Sequence, residues 1–227
     1  MSSSRTASPA PNATSRAPTT SLKGWAARTC LTTTHSTEAL LAAAVGLFAS
    51  GGARALTMRA VARTANAPSG SVYHRFPDRP ALLAAVWLHT VREFHDGYRR
   101  ALGAAPTPAD GVRAAEWMVS WCRRNPASAA VMQAGAPAFE PESWSAESRR
   151  AHEELQQEQT REIKAVVATI AAQTGLPKDQ TLFALFDLPL AAVRPYLIAG
   201  EVPPPKVRGM VRALTTKILC EGAGSDG

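Results

Sequence analysis

The chain has 227 residues, a net charge of +7 and three cysteines, Cys30, Cys122 and Cys220. This length suffices for one or two domains with a buried core. The cysteines lie far apart and have no metal-ligand spacing, which predicts a reducing, cytoplasmic environment without a disulfide framework or a metal. No apolar run approaches 18 uninterrupted residues, so the sequence predicts no membrane span and no membrane partner.

The positive charge is concentrated in the first hundred residues. Residues 1–35 contain four basic residues and no acidic one, and residues 36–100 contain eight basic residues against four acidic ones. Residues 101–227 contain thirteen basic residues against fourteen acidic ones. A polyanionic partner is the simple interpretation, because neutralised phosphates release counterions. A generic solvated basic surface is the alternative.

Residues 1–35 are rich in Ser, Thr, Ala and Pro with scattered arginines. This composition predicts a disordered basic tail that strengthens binding to a polyanionic partner by non-specific charge. A transit peptide and a translation start placed too early are the alternatives.

The first predicted helix spans Thr37 to Ser50 and ends at the Gly51-Gly52 pair. Its apolar residues recur at helical spacing: Leu40, Leu41, Ala44, Leu47 and Phe48.

The segment from Thr57 to Pro77 predicts a short helix, a tight turn and a second short helix. The Thr57 hydroxyl can cap the first of these helices. Asn66 tolerates the left-handed conformation that a turn requires, and Pro68 suits the first turn of the second helix. The residues predicted to face inward are Val61, Ala62, Val72 and Phe76.

Polar residues on the second of these helices predict contact with a DNA groove. Ser69, Gly70 and Ser71 open this helix and are assigned to base edges, since hydroxyls bond bases permissively and glycine allows close approach. Ordinary polarity at the start of a helix is the alternative for these three residues. The remaining candidate DNA contacts are assigned to phosphates: Thr57, Arg59, Tyr73, His74 and Arg79.

From Thr37 to Val86 the chain closely resembles the amino-terminal domain of the TetR family of transcription regulators. The matching segments read LLAAAVGLFASGG and LTMRAVARTANAPSGSVYHRFPDRPALLAAV, in one uninterrupted register. Three positions depart from the family pattern. Asn66 stands where the family often has Gly, Pro68 where it often has Ser or Thr, and Arg79 where it often has Lys. Each of these departures keeps the backbone or charge role of the residue that it replaces.

The rest of the chain is predicted to be helical, so that the fold class is all-α with about nine helices. A connecting helix over Ala81–Ala101 is followed by predicted helices Pro108–Arg124, Ala127–Ala134, Ser145–Thr174, Pro177–Ile198 and Lys206–Leu219. We expect Pro189 and Pro195 to disturb the helix that contains them. The predicted domains are the basic tail 1–35, the helix-turn-helix domain 36–80, the helical ligand-binding and dimerisation domain 81–221 and a flexible tail 222–227.

The resemblance implies that the last two helices pair with those of a second copy to form a four-helix bundle. One helix-turn-helix reads a half-site, so a homodimer on a near-palindromic operator also suits the DNA-binding part. Filling of a monomer core is the alternative for the apolar residues that would form this interface: Leu182, Leu185, Val193, Val207, Met210, Val211, Leu214 and Ile218.

The resemblance also implies a small-molecule site in the carboxy-terminal domain. Aromatic residues in this charge-balanced half are the candidates for a pocket that takes a small apolar effector. They are Trp117, Trp121, Phe139, Trp144 and Phe183, with Phe186 as a further member of the set. Ordinary core packing is the alternative. His152 and the Glu153-Glu154 pair are interpreted as an exposed helix face.

The resemblance implies a ligand-responsive regulator, with repression that a small molecule relieves as the family's usual mode. A constitutive DNA-binding regulator without a ligand is the alternative. An enzyme is disfavoured and no cofactor is expected, because the second half holds one His, two distant Cys and no Glu-x-x-His or His-x-x-x-His pattern. A protein–protein adaptor does not explain the charge around the helix-turn-helix. The sequence does not identify the effector, the operator or the target genes. It also does not distinguish repression from activation.

Overall fold

The computed structural model describes residues 36–221, so the tails predicted over 1–35 and 222–227 lie outside the described residues. Within the described range the chain forms nine helices and no strand, which confirms the all-α prediction. The first four helices are α1 (Thr37–Ala55), α2 (Met58–Thr64), α3 (Ser69–Arg75) and α4 (Arg79–Leu102). They are followed by α5 (Pro108–Arg124), α6 (Pro126–Ala134), α7 (Ala146–Thr174), α8 (Lys178–Ile198) and α9 (Pro205–Thr216).

Helices α1 to α3 and the start of α4 form a small unit that we call the head. The Thr57 hydroxyl accepts a hydrogen bond from the Ala60 N–H at 3.1 Å, which confirms the predicted cap of α2. Asn66 has a φ of 51° in the turn between α2 and α3, as its sequence position indicates. Pro68 precedes the first turn of α3 as its N-cap and therefore lies one residue earlier than predicted.

Helix α1 extends beyond its predicted end at Gly51-Gly52. Gly52 has a φ of 65°, which glycine adopts without steric cost, and the helix is kinked there. One further turn then carries the chain to Ala55 and places Leu56 in the core with no exposed surface. The glycine pair therefore bends α1 instead of ending it.

One apolar core joins the head to the remaining helices, which we call the body. Phe139 lies in the turns between α6 and α7, and its ring stacks on Phe48 of α1 with centroids 4.5 Å apart. The Trp87 ring of α4 lies 5.5 Å from the Phe139 ring. Trp144 at the start of α7 donates its indole N–H to the Phe139 carbonyl at 2.7 Å.

His152 belongs to this junction, so its assignment to an exposed helix face is wrong. The indole N–H of Trp87 donates to Nδ1 of His152 at 3.3 Å, and the Trp144 ring lies 5.6 Å away. Burial of the imidazole lowers the pKa of His152, because desolvation penalises the charged form. Since the indole N–H donates to it, Nδ1 is a hydrogen-bond acceptor at the head–body junction.

Helix α8 contains a π-helical turn, Phe183–Asp187, immediately before the segment in which Pro189 stands. A regular helix would pair the Leu185 carbonyl with the N–H of residue 189, but proline has none. Tyr98 of α4 donates its hydroxyl to that carbonyl at 3.0 Å. The predicted disturbance is thus found at Pro189, whereas the helix continues through Pro195.

By length and composition α8 is also apolar enough to cross a membrane. In this structure part of that apolar surface is used inside the body. Ala184, Leu185 and Val193 are buried there, against α5 and its neighbours. The rest of the apolar surface faces outward.

Helices α4 and α5 approach each other closely at Gly97. A Cβ atom placed at this residue would collide with the Trp117 ring, which is itself held among Phe94, Tyr98 and Trp121. The crossing therefore depends on a residue without a side chain at position 97.

We expect Gly97→Ala to lower the free energy of unfolding by about 1–3 kcal/mol, because the added methyl group overpacks the core. Gly46→Ala is the matched control, since Gly46 is an exposed residue of α1 with nothing within 4 Å of the added Cβ atom. This control should gain up to about 1 kcal/mol from helix propensity. Urea denaturation measures both values, and equal effects of the two substitutions would contradict the close crossing.

Candidate DNA-binding surface and ligand cavity

Helix α3 presents its polar residues on the surface of the head. Val72 is fully buried beneath it, so the helix is anchored to α1 and α2 by an apolar contact. The opposite side is exposed, and Tyr73 in particular leaves 56% of its surface in solvent. Of the candidate DNA contacts, Ser71 is half-buried; the exposed ones are Thr57, Arg59, Ser69, Gly70, Tyr73 and His74.

Arg75 connects α3 to the start of α1. Its guanidinium donates to the Thr37 hydroxyl at 3.1 Å and to the Ser71 carbonyl at 3.0 Å. These bonds hold the last turn of α3 against α1 and so orient the predicted reading helix. The sequence pattern did not identify this positioning contact.

Arg79 has partners that the sequence did not predict. Its Nε donates to the Leu56 carbonyl at 3.2 Å, and its Nη2 donates to the Ala53 carbonyl at 2.9 Å. Its Nη1 lies 3.0 and 2.8 Å from the two carboxylate oxygens of Glu140. All three guanidinium nitrogens therefore have partners within the protein, while the side chain stays 35% exposed, so the contact with a DNA phosphate remains a prediction.

Glu140 reaches Arg79 from the turns between α6 and α7. Its backbone is left-handed, with a φ of 53°, and the adjacent Phe139 is the aromatic centre of the head–body core. The hydrogen bond from Arg79 lowers the pKa of the Glu140 carboxyl, because it favours the charged form. We call this arrangement of Arg79, Glu140 and the carbonyls of residues 53 and 56 the head–body clamp.

We expect Arg79→Ala to cost about 1–3 kcal/mol of unfolding free energy, since it leaves two carbonyls without their donor. Glu140→Gln should cost less, about 0.2–1 kcal/mol, because the side chains of this pair are 35% and 41% exposed and solvent screens their attraction. The double variant should lose little more than Arg79→Ala alone. Thermal and urea unfolding measure the loss of stability in each variant and so test this order of losses. Glu154→Gln, at an exposed residue, is the control. Strictly additive losses would contradict a clamp.

A cavity of about 830 Å³ lies inside the body, between α4, α5, α6, α7 and α8. This volume is within the range of small-molecule sites. Its wall is predominantly apolar and aromatic. The lining residues include Phe94, Tyr98, Met118, Trp121, Val166 and Phe186.

The structure divides the predicted aromatic set between three places. Trp121 and Phe186 line the cavity, and Trp117 packs behind it against Phe94, with ring centroids 5.5 Å apart. Phe139 and Trp144 are buried in the head–body core instead, and Phe183 lies on the surface with 47% exposure.

Phe94 and Tyr98 were missed as cavity residues. They lie one turn apart on α4, with rings 6.3 Å apart, and both line the cavity. An aromatic pair at this spacing on the helix that leaves the head was the available signal in the sequence.

Charged residues at the cavity form a network between α4 and α7. His95 Nε2 lies 3.0 Å from Glu162, and Arg99 lies 3.2 Å from the same carboxylate. Arg99 also pairs with Asp96 and Glu158. The charges on this side are thus largely satisfied by one another.

An apolar face of the body is left in solvent along α8 and α9. It comprises Leu182, Phe183, Leu190, Ile198, Met210 and Leu214, which are between 37% and 68% exposed. Three predicted interface residues, Leu182, Met210 and Leu214, belong to this face.

The other predicted interface residues lie elsewhere. Leu185, Val193, Val207 and Val211 are buried in the core of a single chain, and Ile218 is half-buried. These residues mark the inward side of the same two helices. Their periodicity alone did not separate the inward side from the outward one.

Residues 40–86 match the sequence profile described as bacterial regulatory proteins, tetR family. No curated protein sequence matches the chain.

Solved structures share the fold over about four fifths of the chain. The transcriptional regulator FadR from Bacillus subtilis, in complex with stearoyl-CoA, is 13% identical with a TM-score of 0.61, and the alignment covers 82% of this chain and 98% of that one. A bacterial regulatory protein of the tetR family from Rhodococcus RHA1 is 21% identical with a TM-score of 0.60, at the same coverage of 82% and 98%. The TetR family regulator PfmR from Thermus thermophilus is 18% identical with a TM-score of 0.58, covering 79% and 96%.

The profile match therefore covers the head, and the structural similarity extends through the body. Residues 40–86 thus match the tetR family of bacterial regulatory proteins by sequence, and the rest of the described chain shares the fold of solved TetR-family regulators.

Proposed function

We propose that this chain is a cytoplasmic transcription regulator, acting as a repressor, that binds a near-palindromic DNA operator as a homodimer and is released by a small, largely apolar molecule. The observation that carries the proposal is that the head and the body are packed into one continuous structure. An exposed polar helix, α3, belongs to a head that shares one apolar core with a body containing a large apolar cavity. A ligand in the cavity can shift the DNA-binding equilibrium only by its different affinity for the two states.

The electrostatics of the head support DNA as the partner. Arg59 and Arg63 of α2 and Arg54 of α1 are exposed, and the head has few acidic residues to offset them. Ser69 and Gly70 open α3 without bulky side chains, so its amino-terminal end can approach base edges closely. We assign base contacts to Ser69, Gly70 and Ser71, and phosphate contacts to Thr57, Arg59, Tyr73 and His74.

DNA binding is tested with duplexes selected in vitro by the full chain. Arg59→Ala should weaken binding to every duplex and reduce the salt dependence by about one charge. Tyr73→Phe should also weaken binding to every duplex, whereas Ser71→Ala should change the preference among related duplexes. The control is Arg161→Ala on the exposed side of α7. If Arg59→Ala and Arg161→Ala had the same effect on affinity and salt slope, the proposed docking would be wrong.

The apolar face along α8 and α9 supports a homodimer. A monomer that left these six large side chains in water would be unusual, because exposed apolar patches mark interaction sites. A second copy provides an identical apolar face and brings two reading helices together for two half-sites. Two-fold pairing of this face therefore explains why the apolar side chains are exposed in a single chain and how two half-sites would be read.

We expect Leu214→Glu to convert the dimer into monomers, since burying a charge in an apolar interface costs several kcal/mol unless it is paired. Operator affinity should fall with it. Ala172→Glu, on the exposed side of α7, is the matched control. Analytical sedimentation at micromolar concentration measures the mass, and a monomeric parent protein would overturn the dimer proposal.

The ligand is supported by the size and apolar lining of the cavity. The FadR structure from Bacillus subtilis holds stearoyl-CoA in a protein of the same fold, so a body of this architecture can accept a long apolar molecule. The alternative is a regulator that binds DNA constitutively. An apolar compound that changes tryptophan fluorescence and dissociates the operator complex would favour the ligand-responsive proposal, because Trp121 lines the cavity.

A further inference from the structure

We propose that the cavity takes an amphipathic anion, whose apolar tail lies inside and whose carboxylate pairs with Arg194 at the rim. This inference rests on the proposed ligand-responsive function and specifies the chemical class of its effector.

The interior of the cavity favours an apolar tail because its lining is predominantly apolar. The buried Tyr98 hydroxyl is already used, since it donates to the Leu185 carbonyl at 3.0 Å. Burial raises the pKa of the Cys122 thiol to about 11, so this lining residue is uncharged at neutral pH. A charged head group placed in this interior would lose its hydration without gaining a partner.

The α4–α7 side of the cavity offers no unpaired arginine to an anionic ligand. Arg99 is shared among three carboxylates, those of Asp96, Glu158 and Glu162. Glu162 also lies 3.0 Å from His95. An anionic head group would therefore have to compete there with three carboxylates for one arginine.

Arg194 lies on the opposite wall, on α8, and its situation differs. It lines the cavity one turn from Leu190 and Ile198 of the apolar face, and in the single chain it is exposed and has no carboxylate at ion-pair distance within residues 36–221. Asp187, two turns earlier on the same helix, lines a shallow outer groove together with Arg194 but does not pair with it. Arg194 is therefore a cation at the rim whose charge a ligand can neutralise.

An arginine in this position selects the sign and shape of a head group. Its planar guanidinium binds a carboxylate through two parallel hydrogen bonds, and such bonds are stronger than neutral ones. A cationic head group would be repelled, and a neutral hydroxyl would gain only an ordinary hydrogen bond. The neutral lining residues Gln133 and Gln159 do not distinguish the sign of a charge.

Three probes with the same twelve-carbon tail test this inference: dodecanoate, dodecanol and dodecyltrimethylammonium, all used below their aggregation limits. Tryptophan fluorescence reports binding to the full chain, and dissociation of a selected operator duplex reports the response. We expect dodecanoate to bind about tenfold more tightly than dodecanol, the difference that a charge-assisted bond supplies. The cationic probe should bind most weakly.

Variants separate the role of Arg194 from that of the cavity. Arg194→Gln should abolish the preference for dodecanoate while leaving dodecanol binding and probe-free operator affinity unchanged. Arg194→Lys should retain the preference in part. Arg161→Gln, an exposed arginine of α7 outside the cavity lining, should change nothing.

The outcomes distinguish this inference from the proposed function. If dodecanoate and dodecanol bind equally, or if Arg194→Gln keeps the preference, the assignment of the anion to Arg194 is wrong while a responsive cavity stands. If no probe binds or releases the duplex, the ligand-responsive function itself fails, the anion proposal fails with it, and the constitutive alternative is favoured.

Discussion

The guanidinium of Arg79 holds three parts of the chain in one arrangement: the end of α1, the start of α4 and the turns that follow α6. The carbonyls of Ala53 and Leu56 belong to the head, whereas Glu140 belongs to the body. The planar guanidinium has five N–H donors in fixed directions, so it can bond two carbonyls and a carboxylate at the same time. A lysine ammonium does not have this planar arrangement of donors. The orientation of α3 follows from this arrangement, since α3 is anchored on the helices that Arg79 fixes.

The local features of the head were predictable because each depends on neighbours in sequence. Thr57 caps its own helix, and Asn66 adopts the turn conformation that its side chain tolerates. Arg79 was not predictable in the same way, since its carboxylate partner is 61 residues away. From sequence its replacement of a frequent family lysine looked like a simple conservation of charge, and only the folded chain shows that the planar shape is used.

The body was harder to predict for a related reason. Helical periodicity identified the apolar residues of α8 and α9, but it did not divide them between the core and the surface. The π-helical turn at Phe183–Asp187 changes the facing of residues on either side of it, so Leu185 and Val193 lie inside while Phe183 lies outside. The aromatic residues show the same limit, because Trp121 and Phe139 are both buried yet belong to different cores.

The shared core at Phe139 also has a consequence for how this chain can be divided. Phe48 and Trp87 complete their packing with a residue that follows α6. A fragment cut near residue 80 would expose that surface and lose the carboxylate partner of Arg79. The head is therefore not a portable module, and a chimera that grafts it onto another body must also carry the segment from Phe139 to His152. For the same reason, head and body should melt in a single cooperative transition.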